Sequence, residues 1–145
     1  MTESSAVAGP ELRSAIAEVR KGIERACARA GRRPEEVSLV AVTKTVPIEV
    51  IRTAREAGLE QFAENHANEL AEKAPVITAT WHFVGKLQTG TAPRVADDAD
   101  TIHSAEPGRA LQRVAARAGR RLPEKTTFFS PKPRTGLVFR SLLES

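Results

Sequence analysis

Short apolar runs alternate along most of this chain with segments whose apolar residues recur at helical spacing. Residues 10–31 open on a proline and end on a glycine, and their pattern predicts a first helix. The small, polar residues 1–9 before it are expected to be disordered. Residues 37–43 form a short, valine-rich apolar run, which is typical of a strand buried on both faces of a sheet.

The same rhythm of strand and helix then repeats along the chain. A helix is predicted at 47–58, and three further strand–helix pairs follow at 61–63 and 66–73, at 81–84 and 92–98, and at 100–103 and 107–119. Four βα units in a row predict an α/β protein with a parallel sheet, either doubly wound or part of a (β/α) barrel. Residues 10–122 are therefore expected to form one α/β domain.

Residues 123–145 break this rhythm and are expected to be an atypical tail. They contain three prolines and two apolar patches, at 128–129 and 137–139, each of which could form a strand without a helix after it. A frameshift, a truncated gene or a misassigned reading frame would each produce such a tail. A barrel that stops after four units would expose both edges of its sheet, which favours aggregation or pairing with another chain.

Composition narrows the class of protein. The chain has 145 residues, 41% of them hydrophobic, which suits one domain with its own core. No apolar run approaches the roughly 20 residues of a membrane-spanning helix. The N-terminus has neither the basic nor the apolar region of a secretory signal, and the single Cys27 cannot form an internal disulfide. These features favour a cytoplasmic protein that does not enter a membrane.

The net charge of +4 raises the question of nucleic acid. Only 4% of the residues are aromatic and none is tyrosine, so surfaces on which bases could stack are scarce. The arginine clusters fall at the ends of predicted helices, where cations interact favourably with the helix dipole. We expect no specific nucleic-acid partner, and binding by charge alone is the alternative.

Polar residues collect at the carboxyl ends of the predicted strands. Lys44 follows the first strand, Asn65 follows the second, His82 lies within the third and Ser104 ends the fourth. In parallel α/β proteins the loops at these ends converge on one face, where ligands bind. Desolvation beside an apolar strand would favour the neutral amine of Lys44, the nucleophile that forms a Schiff base.

Each of these residues also has a purely structural explanation. Lys44 could be a solvated residue that starts a loop, and Asn65 could be the N-cap of the following helix. His82 could be a hydrogen-bonded core histidine, and Ser104 could cap the turn into the last helix. The histidines and the cysteine do not have the spacing of a metal site.

Five motifs around these residues resemble the pyridoxal phosphate homeostasis family. They are LVAVTKT at 39–45, FAEN at 62–65, WHFVG at 81–85, LQT at 87–89 and IHS at 102–104. Their order and gaps agree with the family across about residues 10–120. The resemblance implies the N-terminal part of a (β/α)8 TIM-type barrel, like the N-terminal domain of alanine racemases, with about four βα units and thus incomplete.

The resemblance also implies a function. Pyridoxal 5'-phosphate would be held as a Schiff base on Lys44, with Asn65, His82 and Ser104 lining the cofactor pocket. The protein would take part in intracellular vitamin B6 homeostasis, with pyridoxal-phosphate-dependent apo-enzymes as recipients and without a turnover reaction of its own. A racemase-like enzyme is one alternative, disfavoured because the chain has no tyrosine to act as the racemase base. A fragment with impaired or no function is another.

Some positions depart from the family. Gly90 and Thr91 stand where an Asn-Lys pair is usual, and Lys86 stands where an uncharged residue or arginine is common. Residues 121–145 contain nothing like the glycine-rich loops that bind the cofactor phosphate in the later half of the family. Without such loops the Schiff base alone would hold the cofactor. The sequence leaves the oligomeric state open.

Overall fold

Helices and strands alternate in the computed structural model, which describes residues 3–103, 105–118, 127–128 and 138–140. The strands are β1 Leu39–Val42, β2 Gln61–Glu64, β3 Thr80–Phe83, β4 Thr101–Ile102, β5 Thr127–Phe128 and β6 Val138–Arg140. The helices are α1 Glu3–Ala30, α2 Ile48–Glu56, α3 Ala67–Lys73, α4 Ala92–Asp98 and α5 Arg109–Ala118, and a 3-10 helix spans Pro34–Glu36.

The described strands form one sheet in which neighbouring strands are parallel. Their order is β5-β4-β3-β2-β1-β6, so the first four strands are adjacent in the order of the chain. A helix links each of these strands to the next, as parallel neighbours require. The α/β class and the four consecutive βα units predicted from the sequence are confirmed.

The hydrophobic core lies between the helices and one face of this sheet. Phe62 and Trp81 are register partners on that face, and their ring centroids lie 5.6 Å apart. Fully buried side chains from four helices complete the core, and they are Ile51, Leu70, Val95 and Val114. Burial of each such side chain contributes about 1.5–3 kcal/mol, so packing of the helices on this face stabilises the whole unit.

The opposite face of the sheet carries a row of register partners. Val42 pairs with Ala63, Ala63 with His82, and His82 with Thr101. Because side chains alternate along a strand, this row points away from Phe62, Trp81 and the core. In a closed (β/α) barrel the corresponding face lines the interior.

Helix α1 begins at Glu3, so the expectation that residues 1–9 are disordered and that the helix opens at Pro10 is wrong for residues 3–9. Pro10 lies inside the helix. A proline removes one i→i−4 hydrogen bond, but the alanines before it have high helix propensity. After it, Leu12 and Ile16 are buried in the core and fix the helix against the rest of the molecule.

Two short strands from the predicted tail extend the sheet at both sides. β5 pairs with β4, and β6 pairs with β1 through residues 39–41. The tail patches therefore form strands, at 127–128 and 138–140, and β1 and β4 are not the sheet edges that we expected. The unpaired backbone groups of β1 and β4 are thereby hydrogen-bonded to strands of the same chain. The edges that remain are β5 and β6, which are only two and three residues long and therefore present few unpaired groups to another chain.

Across the described residues, no helix combines the length and the apolar character needed to span a bilayer.

Candidate functional site

Lys44 lies in the turn between β1 and α2, with its side chain exposed. The ladder between β1 and β2 reaches the residue before it, because the Thr43 amide donates to the Ala63 carbonyl over 2.9 Å. The Val46 amide donates back to the Thr43 carbonyl over 3.0 Å and closes the turn. Thr45 has a φ of 62°, a left-handed conformation that a β-branched residue rarely adopts. The backbone of Lys44 is therefore held while its amine stays accessible.

The exposure of Lys44 corrects one expectation. The sequence suggested that apolar walls at the strand end would desolvate the amine, yet the turn projects Lys44 beyond the end of the sheet, into contact with solvent. Accessibility, and not desolvation, is the property that the structure gives to this lysine.

Asn65 follows β2 and lines a cleft of about 400 Å³ between the loops after β2 and β3. The lining residues are Asn65, His66, Ala67, Asn68, Phe83, Gly85, Lys86, Gln88 and Thr91. The Oδ1 atom of Asn65 is buried and accepts no hydrogen bond from the described residues. An unsatisfied buried acceptor costs about 1–3 kcal/mol, so a ligand that donates to it would remove that cost.

The alternative role of Asn65 as a helix N-cap is wrong. The N-cap of α3 is His66, and it makes no side-chain capping hydrogen bond. Asn65 lies one residue earlier, and its side chain lines the cleft instead of capping the helix.

Gly85 brings the two loops of the cleft into direct backbone contact. A Cβ atom built on Gly85 would lie 2.1 Å from the carbonyl oxygen of Asn65 and 2.8 Å from its carbonyl carbon. No side chain fits at that distance, so only glycine allows the backbone after β3 to approach Asn65 this closely. The only indication of this close approach in the sequence was that a glycine directly follows a predicted strand.

His82 is buried on the sheet face opposite the core, and both of its ring nitrogens bond to protein groups. Nε2 lies 2.8 Å from Oε1 of Gln61, and Nδ1 lies 2.9 Å from Nε2 of His103. Since the Gln61 oxygen only accepts, His82 carries its proton on Nε2 and its Nδ1 accepts from the Nε2–H of His103. Burial and, to a smaller extent, the neighbouring His103 lower the pKa of His82, Asp100 opposes the shift, and the resulting pKa is about 4.

The low pKa of His82 predicts a loss of stability in mild acid. The pKa of His82 is about 4 in the folded chain and about 6.5 in the unfolded chain. Between these pH values the unfolded chain binds a proton that the folded chain does not, so the free energy of unfolding is highest above pH 6.5 and falls as the pH drops toward 4. We expect the free energy of unfolding to fall by up to about 3 kcal/mol across this window. Urea unfolding of the wild type and of His82→Gln at several pH values measures the effect.

The His82→Gln variant removes this titration and leaves the carboxylates of the chain unchanged. Its unfolding free energy should therefore depend less steeply on pH between 6.5 and 4 than that of the wild type. Parallel curves for the two proteins would show that His82 does not titrate in this range.

The structure brings two of the four predicted site residues to adjacent strand ends. Lys44 lies two residues beyond Val42, Asn65 lies two residues beyond Ala63, and Val42 and Ala63 are register partners. Of these two, only Asn65 lines the cleft. His82 lies deeper, within β3, and does not line the cleft either. Ser104 lies outside the described residues.

A buried group of charges beside Lys44 was missed by the sequence analysis. Lys73 on α3 is 5% exposed, and its ammonium donates to Glu64 at 2.6 Å and to Glu69 at 2.8 Å. Burial raises the pKa of Glu64, and the hydrogen bonds from Lys73 and Thr43 oppose that rise. For Glu69, desolvation raises the pKa, but the hydrogen bonds from Lys73 and the Thr45 amide together with the positive charge of Lys73 outweigh it, and the pKa is lowered. The only signal in the sequence was the helical (i, i+4) spacing of Glu69 and Lys73.

No cluster of three or more potential metal ligands occurs among the residues that the structure describes.

The fold and site define a class: α/β proteins built on parallel βα units, with an accessible lysine at the carboxyl end of the first strand. Within this class the chain is similar to proteins named pyridoxal phosphate homeostasis protein. It is 37% identical to that of Escherichia coli K12 over 114 residues, which are 74% of this chain and 49% of the relative. It is 35% identical to that of Pseudomonas aeruginosa over 111 residues, 74% of this chain and 48% of the relative.

Two solved structures also align with this chain. PipY of Synechococcus elongatus, crystallised with pyridoxal phosphate bound, aligns with a TM-score of 0.56 at 33% identity over 68% of this chain and 48% of PipY. A protein of unknown function from Bifidobacterium adolescentis aligns with a TM-score of 0.71 at 25% identity over 83% of this chain and 53% of the other. No protein-family model matches the sequence.

The resemblance to the pyridoxal phosphate homeostasis family, expected from the five motifs, is thereby confirmed over about three quarters of the chain. The chain spans about half the length of the curated relatives that it matches.

Proposed function

We propose that this chain binds pyridoxal 5'-phosphate through Lys44 and serves vitamin B6 homeostasis in the cytoplasm. The observation that carries the proposal is the accessible amine of Lys44, held in a fixed turn at the strand end next to that of Asn65. The Oδ1 atom of Asn65 accepts no hydrogen bond from the described residues. An accessible lysine amine condenses with the aldehyde of the cofactor and releases water, which gives a Schiff base.

A cleft at the neighbouring strand end, whose lining includes Asn65 but not Lys44, fits a small polar ligand. The cleft of about 400 Å³ lies in the range of small-molecule sites. Its buried Asn65 oxygen accepts one hydrogen bond from the ligand, and Lys86 adds a cation to the cleft lining, where an anionic phosphate is attracted.

Asn65, His82 and Ser104 are proposed as the residues that line the cofactor pocket together with Lys44. Asn65 is the best supported of the three, because its buried Oδ1 atom has no donor among the described residues. The ring nitrogens of His82 are already bonded to Gln61 and His103, so His82 would contribute shape and a neutral, fixed polar surface.

We also propose that the bound cofactor is stored or delivered to apo-enzymes, and not used in turnover. The relatives are named as homeostasis proteins. The chain contains no tyrosine, the residue that would act as the second base of a racemase.

Replacement of Lys44 by alanine is expected to abolish covalent cofactor binding. Titration of the wild type with pyridoxal phosphate should produce a near-visible band that saturates at one cofactor per chain. Borohydride reduction followed by peptide mapping should then place the label on Lys44, and the Lys44→Ala protein should show neither the band nor that labelled peptide.

Lys21 provides the matched control, because it is an exposed lysine on α1, remote in sequence from the site. Lys21→Ala should bind and be labelled like the wild type. Labelling scattered over many lysines of the wild type, or equal labelling of Lys44→Ala, would refute the proposed function.

A further inference from the structure

Helix α3 holds the turn of Lys44 from both sides. Before Lys44, the carbonyl oxygen of Thr43 accepts a hydrogen bond of 2.8 Å from the ammonium of Lys73. After Lys44, the amide of Thr45 donates a hydrogen bond of 2.8 Å to Oε2 of Glu69. Lys73 and Glu69 lie one turn apart on the same helix, so this helix is hydrogen-bonded to both residues that flank Lys44.

The ammonium of Lys73 is itself held in place by its hydrogen-bond partners. The ammonium of Lys73 has three N–H groups and three acceptors, namely the Thr43 carbonyl at 2.8 Å, Glu64 Oε1 at 2.6 Å and Glu69 Oε2 at 2.8 Å. The Thr43 hydroxyl donates to the same Glu64 oxygen over 2.6 Å. Each polar hydrogen of Lys73 is therefore used, and its position is determined by β1, β2 and α3 together.

This arrangement is unfavourable for the fold alone. Burying the ammonium of Lys73 and the carboxyl group of Glu64 carries a desolvation penalty that an apolar pair would avoid. The left-handed φ of Thr45, 62°, is also a strained conformation for a β-branched residue. The strain is at Thr45, and the buried ammonium of Lys73 is hydrogen-bonded to Thr43, so both residues that flank the accessible lysine are involved. Backbone strain of this kind is typical of a site whose geometry is held for function.

We propose that Glu64, Glu69 and Lys73 form a positioning network that holds the Lys44 turn in the conformation required for cofactor attachment. The inference rests on the proposed function and deepens it, because it assigns to residues outside the cofactor pocket the task of aiming the amine. Glu69 is the member that links the charge cluster to the turn, through the Thr45 amide.

Replacement of Glu69 tests the network, because this side chain is partly exposed at 25% and its removal leaves the buried Lys73–Glu64 pair in place. In Glu69→Ala the Thr45 amide loses its acceptor, and its hydrogen exchange, measured by NMR, should accelerate at least tenfold. The dissociation constant for pyridoxal phosphate should rise about tenfold, which corresponds to ~1.4 kcal/mol. The fraction of borohydride-trapped label on Lys44 should fall.

Glu69→Gln and Glu72→Ala complete the experiment. Glutamine keeps an acceptor oxygen for the Thr45 amide, so slow exchange and Lys44 labelling should be largely rescued. Glu72 is an exposed neighbour on the same helix, and Glu72→Ala should behave like the wild type. Circular dichroism at each step establishes that the variants compared are folded.

The two hypotheses fail in different ways. Unchanged affinity, labelling and Thr45 exchange in folded Glu69→Ala would overturn the positioning network and leave the proposed function intact. A wild-type chain with slow Thr45 exchange that does not bind pyridoxal phosphate at Lys44 would overturn the proposed function, and with it the role of the network in cofactor attachment.

Discussion

Replacement of Lys73 by methionine is expected to lower the free energy of unfolding by about 3–5 kcal/mol, the usual cost of removing one partner from a buried ion pair. Methionine fills nearly the same volume but leaves Glu64, which is fully buried, without its cation. It also leaves the Thr43 carbonyl without the donor that Lys73 supplies. Urea unfolding followed by the fluorescence of Trp81 would measure the loss, because this tryptophan is the only one in the chain.

Two further proteins show whether the loss comes from the unpaired charge. Lys21→Met changes an exposed lysine on α1 and should shift the unfolding free energy by less than about 0.5 kcal/mol. The double variant Lys73→Met with Glu64→Gln removes both charges and should recover most of the stability. A double variant as unstable as Lys73→Met alone would mean that lost packing, and not the unpaired carboxylate, caused the effect.

Replacement of Gly85 by alanine is expected to lower the free energy of unfolding by about 1–3 kcal/mol or more, since about 1–3 kcal/mol is the usual cost of overpacking. The added Cβ atom would lie 2.1 Å from the Asn65 carbonyl oxygen, and both contacting groups belong to the backbone. No rotamer change relieves such a contact, so the loops after β2 and β3 must separate. Because Asn65 lines the cleft beside these loops, cofactor affinity should fall together with stability.

Gly90 supplies the control for this substitution. It lies in the loop that follows β3 as well, but a Cβ atom built there meets no atom of the described residues within 4 Å. Gly90→Ala should therefore leave both thermal stability and pyridoxal phosphate binding close to those of the wild type. Equal effects of the two substitutions would show that the close approach at Gly85 is not the cause.

The positions of the regular elements were largely determined by the sequence. The predicted helix at 92–98 is α4 Ala92–Asp98, and the predicted strands overlap β1 to β4 within a few residues at each end. These elements depend on local features, namely apolar runs, helical periodicity and the prolines and glycines that interrupt them. Local features also carried the resemblance to the family, since each of its five motifs is a short contiguous segment.

Local patterns were misleading where a proline suggested a boundary. Pro10 predicted the start of α1, but the helix begins at Glu3 and continues through it. A proline sets a preference of limited size, and the contacts of the rest of the helix with the core can outweigh it.

The geometry of the candidate site was decided by the tertiary structure. The partners of Lys73 lie up to 30 residues away, at Thr43, and those of His82 lie 21 residues away on either side, at Gln61 and His103. Gly85 contacts Asn65 across 20 positions for the same reason, since β2 and β3 pair side by side.

The sequence by itself thus determined the βα order, the strand ends at which Lys44 and Asn65 lie, and the family that they resemble. Only the tertiary structure decided that Lys44 is exposed, that Asn65 Oδ1 is buried without a donor among the described residues, and that α3 is hydrogen-bonded to the turn of Lys44. The physical reason is that propensity and periodicity act over a few neighbouring residues. Burial and hydrogen-bond pairing depend on which distant segments the sheet brings side by side.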